Sequence, residues 1–304
     1  MACLFHTGIV SRSATPIDRL HDVNNDRMRP IYLDTIARQI AELNIIGAHR
    51  PSGEYVRKGV TTMEWQAWGQ RLKEVLELAG SPVAISYTDD PPEQPGTRKC
   101  SVCGLLKNVA AGETFVLTAE TSRCPGGSQY LGLAAQHPER AKALRDFLIN
   151  GEKLFACPAS ILRAQAMTEA KPPFGAADYI VFSPLEKAVL PPDVTVFLAN
   201  GWQSARLINL AYYLDGAPMR CDPTGSLCRA AVTYPLVTGR VNVTFGDVTA
   251  RRMEKFPEDV VFVSLPYLAL RNAADSIDRC TAGTAKTEIP EEFRRELEQA
   301  GGEF

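Results

Sequence analysis

"SLCRAAVTYPLVTGRVNVTF", residues 226–245, holds three structural signals in one short run. Cys228 opens a short helix, Gly239 stops it, and the alternating stretch "VNVTF" follows as a strand. The same order occurs upstream, where Cys103 opens a helix, Gly112 stops it and "TFVLT" follows. The Cys-to-Gly spacings are 9 and 11 residues, and 12 residues separate Gly112 from Cys124 and Gly239 from Arg251. A strand-like run precedes each unit, "PVAISY" at 82–87 and "DVTVFL" at 193–198. This repeat predicts an α/β (or α+β) fold of two related half-units, about 63–150 and 175–280. The expected architecture is a mixed sheet packed by short helices, with a pseudo-twofold axis between the halves.

The remaining segments fill in that plan. "MEWQAWGQRLKEVLELAG" places Trp65, Trp68, Leu72, Val75 and Leu76 on one helical face and predicts a helix ending at Gly80. Thr61 and Glu64 form a capping-box pattern before it. "HPERAKALRDFLING" predicts a helix entered at Pro138 and closed by Gly151, and another short helix follows over 159–167. Strands are expected at 179–182, 194–198 and 260–263, and helices at 204–214, capped by Ser204, and 268–277. Trp202 reads as core or pocket wall and Glu186 as a surface or capping carboxylate. Residues 281–304 read as a linker and a solvated tail helix.

Composition bounds the function classes. The chain has 304 residues, 45% hydrophobic and 22% charged, with a net charge of −2. That balance gives no electrostatic case for nucleic acid or an anionic membrane. No apolar run reaches the roughly 20 residues that span a bilayer. The start "MACLFHTGIVSRSATPID" lacks a basic segment ahead of a long apolar one, so it does not read as a secretory signal. The expected setting is cytoplasmic, where thiols stay reduced and cysteine clusters bind metals or act in redox chemistry.

Residues 1–62 differ from the rest. They hold three of the four histidines, His6, His21 and His49, and an apolar pattern at Ile31, Leu33, Ile36, Ile40 and Leu43. Arg57-Lys58-Gly59-Val60 can be encoded as a purine-rich ribosome-binding sequence just before the codon of Met63. Residues 1–62 are therefore read as a translated leader or extension, and 63–280 as a single α/β domain.

The chemistry then rests on thiols. His137 is the one histidine after residue 62, so Ser-His-Asp and Cys-His catalysis are disfavoured. Cys103 and Cys228 stand at helix starts, where free N–H groups favour thiolate. Cys124 precedes Pro125-Gly126-Gly127, and glycines there let backbone N–H groups approach an anion or a cluster sulfide. Cys100 and Cys103 form a C-x-x-C pair. Thiolates of Cys100, Cys103, Cys124 and Cys228, or three of them, suit an iron–sulfur cluster. Cys100, Cys103, Cys221 and Cys228 make an alternative zinc set. A non-catalytic module holding a small anionic ligand at Gly126, Gly127 and Arg251 is a second reading. A thiol nucleophile at Cys103 or Cys228 is a third. Cys3, Cys157 and Cys280 read as small buried apolar side chains.

From about residue 63 to 280 the chain resembles the domain of unknown function 169 family of archaeal and bacterial proteins. The resemblance rests on "SPVAISY", Cys103 with Ala110 and Gly112, "CPGGSQYLGL", "VFSPLEKA", "ANGWQSARLINLAYYLDG", "SLCRAAVTYPLVTGRVNVTFGD" and Arg251, in that order. It implies an uncharacterised protein with no settled reaction. It also implies a selection among the eight cysteines, since Cys103, Cys124 and Cys228 fall where the family pattern has cysteine. The pattern often carries a further cysteine where this chain has Asp247, so Cys100 or Asp247 would have to complete a set of four.

Overall fold

The computed structural model describes residues 61–301, apart from 94–99, 134–137, 167–174, 176, 217–218, 220 and 224. The leader reading of 1–62 and His137 thus lie, but for 61 and 62, outside the described residues. Six strands form one sheet: β1 (Val83–Thr88), β2 (Phe115–Leu117), β3 (Tyr179–Pro184), β4 (Val194–Ala199), β5 (Asn242–Thr244) and β6 (Val261–Pro266), in the order β2-β3-β1-β4-β6-β5. Every pair is antiparallel. The expected mixed sheet is corrected on this point. β1 and β2 run parallel to each other, but β3 lies between them and takes the hydrogen bonds of both.

The two halves pair identically. The first residue of β1, Val83, faces the last of β3, Pro184, and Val194 of β4 faces Pro266 of β6 in the same way. The short outer strands repeat this, with Phe115 opposite Phe182 and Asn242 opposite Ser264. At the centre Val83, Ala84 and Ile85 face Val196, Thr195 and Val194. Exchanging β1, β2 and β3 for β4, β5 and β6 therefore leaves the strand order and each register unchanged.

Helices cover both faces, because side chains alternate along each strand and both sets are apolar. One face carries Val83, Ile85, Phe115, Ile180, Phe182, Val194, Val196 and Phe262. It packs on α2 (Val102–Ala110) through Val102, Leu105, Leu106 and Val109. Leu227, Ala231 and Val232, in and just before the π-helical turn Arg229–Thr233 that leads into α7 (Tyr234–Thr238), cover the rest together with Ala250 of α8 (Val248–Glu254). α3 (Pro125–Tyr130) lies at the same layer, and α4 (Pro138–Asp146) and α5 (Pro158–Ala166) form the long excursion before β3. The opposite face carries Ala84, Phe197, Val263 and Leu265. It packs on α1 (Thr62–Val75), α6 (Gly201–Tyr212) and α9 (Tyr267–Ser276) through Trp65, Leu72, Leu207, Leu210 and Leu270. α10 (Thr281–Thr284) and α11 (Glu291–Gln299) close the chain.

Several boundaries shift for identifiable reasons. α1 begins as the capping pattern predicts, with the Glu64 carboxylate accepting from the Thr61 N–H at 2.6 Å. It stops at Val75 rather than Gly80. Glu77 turns left-handed at φ 55, and Leu78 N–H reaches back to the Lys73 carbonyl at 3.0 Å while its side chain is buried. α6 starts at Gly201, because Asn200 and Gln203 cap it reciprocally at 2.9 Å and Ser204 is already inside. Trp202 is exposed rather than core. Glu186 is not a surface carboxylate: it accepts a hydrogen bond from Ser81 and pairs with Lys73 at 3.8 Å.

Arg206 ties the second layer together. Its side chain is 4% exposed, its Nε donates to the Gly283 carbonyl at 3.0 Å, and its Nη2 donates to the carbonyl of Val75 at the end of α1. Charged donors on otherwise unpaired helix-end carbonyls contribute about 1.5–3 kcal/mol each. Arg206→Met keeps the apolar stem and loses both contacts. A stability loss of about 3 kcal/mol is expected in urea titration of the full chain. A loss below about 0.5 kcal/mol would show that these carbonyls find other partners.

Candidate metal centre

The site is assembled from helix starts. Ser101 caps α2, its hydroxyl accepting from Gly104 N–H at 3.0 Å, so Cys103 is the second residue of the helix rather than its cap. In the second half the carbonyl of Ser226 accepts from Ala230 N–H at 3.0 Å, and Cys228 again stands two residues on. The strings Ser101-Val102-Cys103 and Ser226-Leu227-Cys228 carried this signal in the sequence, a small capping residue two places before each cysteine. Cys124 caps α3 with its own sulfur, which accepts from Gly127 N–H at 3.2 Å. Asp247 caps α8, with Oδ1 accepting from Ala250 N–H at 2.7 Å.

These groups act on one another. Burial pushes the Cys103 thiol well up from its ordinary value, and the charges of Cys228, Asp247, Cys124 and Glu254 push it the same way. Burial pushes the Cys228 thiol up to about 12, with Cys124 and Asp247 adding to it against a hydrogen bond from Ser226 and one from the Arg229 backbone. The expectation that helix starts make these two cysteines thiolates is therefore corrected. Desolvation and acidic neighbours outweigh the helix end, and both stay protonated at neutral pH.

Two tyrosines line the same region. Burial raises the Tyr130 hydroxyl, with Cys228 adding to it and Arg229 and a hydrogen bond with Ser226 opposing. Burial raises Tyr87 as well, helped by the charges of Asp193 and Cys228. Tyr130 sits inside the quoted "CPGGSQYLGL" run, yet nothing in its spacing marks it as a pocket residue.

The other candidates fall elsewhere. Arg251 does not serve as an anion clamp: its guanidinium donates to the carbonyls of Phe245, Val260, Pro257 and Glu258 at 2.6–3.0 Å. Gly126 and Gly127 lie in the first turn of α3 rather than in an open anion-binding loop, and the Gly127 N–H is already taken by Cys124. Cys221 is exposed. Cys100 sits ahead of the cap, where its carbonyl accepts from Arg123 N–H at 3.1 Å, while Cys124 and Asp247 are the groups that act on both half-buried Cys103 and buried Cys228. Cys280 caps α10, its sulfur accepting from Gly283 N–H at 3.3 Å. Among the described residues no three His, Cys, Asp or Glu side chains are grouped to hold a single metal ion. No helix among them is long and apolar enough to cross a membrane.

The same elements that build this pocket carry a family signature. The profile of the DUF169 family, described as "Uncharacterised ArCR", matches residues 71–276. The chain belongs to the DUF169 family. The DUF169 match covers all six strands and all four capped helix starts of the pocket. No curated protein and no solved structure matches the chain.

Gly127 holds the first half of the site together. A Cβ there would meet Val102 Cγ2 at 2.9 Å and Cys124 Cβ at 3.3 Å. Gly127→Ala therefore forces Val102 or α3 to shift. A destabilisation of about 1–3 kcal/mol is expected in denaturant titration of the variant.

Proposed function

We propose that this protein holds an iron–sulfur cluster through the thiolates of Cys103, Cys124 and Cys228 and uses it in redox or sulfur chemistry. One observation carries the reading. Thiols from both halves and the Asp247 carboxylate act on one another beside the sheet, and the Cys103 thiol is pushed up by burial and by the charges of Cys228, Asp247, Cys124 and Glu254. This arrangement keeps its thiols protonated until a cationic centre offsets their mutual repulsion. The same balance argues against a thiol nucleophile, which needs its thiolate at working pH.

A single zinc ion needs its ligands grouped closely. Bonds of about 2.3 Å to a tetrahedral zinc require its sulfurs to lie within about 4 Å of each other. The described residues offer no such group, and Cys221 of the zinc alternative is exposed. An iron–sulfide core is wider, so its thiolates stand further apart. When bound, the cluster would supply electron transfer or a Lewis-acidic iron. The chain's part is to bury it under the sheet and fix the sulfurs on helix starts. The proposal includes a reducing, cytoplasmic setting that keeps the thiols available.

The test is anaerobic reconstitution of the full chain with ferrous iron and sulfide. Bound iron and sulfide in matched amounts, with visible charge-transfer absorption, are expected. A colourless, metal-free product under those conditions would overturn the reading.

A further inference from the structure

We propose that the outward face of α6 is a docking surface for a second copy of this chain, packed antiparallel across a twofold axis. The inference is independent of the metal reading, since α6 lies on the opposite layer of the sheet from Cys103 and Cys228.

The two sides of α6 differ in what covers them. Leu207, Leu210 and Ala211 turn to the sheet and are buried. The other side carries Trp202, Ala205, Asn209 and Tyr212, spaced three or four residues apart, and Tyr213 continues the stripe in helical conformation. Trp202 is 64% exposed and Tyr213 44%. Single exposed apolar side chains are ordinary on a protein surface, but aromatic rings lined along three turns of one helix make a patch. Tryptophan, tyrosine and arginine are also the residues that carry most binding energy at protein interfaces.

The polar atoms of the stripe are already paired within it. The Asn209 amide nitrogen donates to the Ala205 carbonyl at 3.0 Å, and its Oδ1 accepts from the Tyr212 hydroxyl at 2.9 Å. Beneath them the Arg206 guanidinium stands 5.9 Å from the Trp202 ring and donates to the Gly283 and Val75 carbonyls. Drying this face therefore leaves few hydrogen bonds to water unreplaced.

Charge selects the occupant. Glu77 stands at the Trp202 end, where its carbonyl accepts from Gln203 Nε2 at 2.8 Å and its side chain is 81% exposed. Arg279 stands at the Tyr213 end, with its guanidinium carbon 5.9 Å from that ring. An antiparallel second copy sets Glu77 beside Arg279 of that copy, and the twofold repeats the pair at the other end. A parallel copy would set like charges together. In the antiparallel register Ala205 lies opposite Asn209 of the second copy. These short side chains let the helices approach at the crossing, while Trp202 reaches Tyr212 and Tyr213 of the second copy. One helix face with flanking charges is small for a permanent dimer, so association in the micromolar range is expected.

Sedimentation equilibrium of the full chain between about 1 and 100 μM is the test. The mass is expected to rise from monomer toward dimer over that range. Ala205→Glu sets two carboxylates near the axis and is expected to stay monomeric throughout, with native circular dichroism, because Ala205 is exposed. Met253→Glu, an exposed side chain on the other layer, is expected to associate as the wild type does. Glu77→Arg and Arg279→Glu are each expected to raise the Kd about tenfold, and the double variant to return it near the wild-type value. If Ala205→Glu fails to fold, the charge exchange decides alone. A wild type that stays monomeric overturns the proposal, whether the face is bare or another segment of the chain covers it. A dimer indifferent to Ala205→Glu and to both charge variants forms elsewhere and overturns it too. Single charge variants that weaken association without recovery in the double variant overturn the antiparallel docking.

Discussion

Serine in place of Cys228 is expected to remove cluster uptake, with bound iron and sulfide falling to background after anaerobic reconstitution. The side chain is 3% exposed and belongs to the core cluster beneath the sheet. Its sulfur is within electrostatic reach of Cys103, Cys124 and Asp247, which makes it the thiol that joins the second half to the first. A serine hydroxyl there is a harder donor and deprotonates far less readily. The fold should survive, because Ser226 already offers a hydrogen-bonding partner to the side chain at this position, at 3.8 Å from the sulfur. An uncompensated buried hydroxyl would cost about 1–3 kcal/mol, which the thermal midpoint reports independently of metal. Cys157→Ser and Cys221→Ser serve as controls and should load as the unaltered chain does. Wild-type loading of Cys228→Ser with native circular dichroism would mean that the metal, if bound, sits elsewhere.

The half-units were legible because helix, glycine and strand follow one another at short range, and each junction has a local cause. Gly239 turns left-handed at φ 65, and Gly112 does so at φ 108. The antiparallel pairing was not legible. β1 takes β3, whose first residue lies 91 positions after the last of β1, and no local pattern records such a partner. The correspondence between the halves was displaced for a related reason. Counting from the glycines aligned Cys124 with Arg251. The loop from the end of β2 to its helix cap is longer by four residues than that from β5, since Leu117 to Cys124 is seven positions and Thr244 to Asp247 is three. The strand registers keep the glycine offset, and only the shared role of helix cap relates Cys124 to Asp247. The direction of the thiol shifts was hidden too. A helix start can be read from Ser-x-Cys, but burial and acidic neighbours depend on Glu254 and Asp247, which arrive from more than 140 residues beyond Cys103.

Alkylation of the metal-free protein at pH 7 should leave Cys228 almost untouched, about 1,000-fold slower than the same cysteine in the urea-unfolded chain. Only thiolate reacts at an appreciable rate. Burial, then the charges of Cys124 and Asp247, move the Cys228 thiol from an ordinary 9.0 to about 12. Well below both values the thiolate fraction falls tenfold for each pH step of separation, which gives the factor of roughly 10³ before any steric exclusion is counted. The sign is testable over a range. Between pH 7 and about 12 the Cys228 rate in the folded protein should keep rising tenfold per pH step. Unfolding in urea should restore an ordinary thiol rate at Cys228, because the shift belongs to the fold. Mass spectrometry of the alkylated peptides after iodoacetamide treatment reads each cysteine separately. Equal Cys228 rates in the folded and unfolded protein would mean that the helix start prevails over desolvation, and the site would then belong to a nucleophile. A protected thiol has the opposite use: it waits for a metal cation, and each deprotonation that accompanies binding makes loading steeper with rising pH.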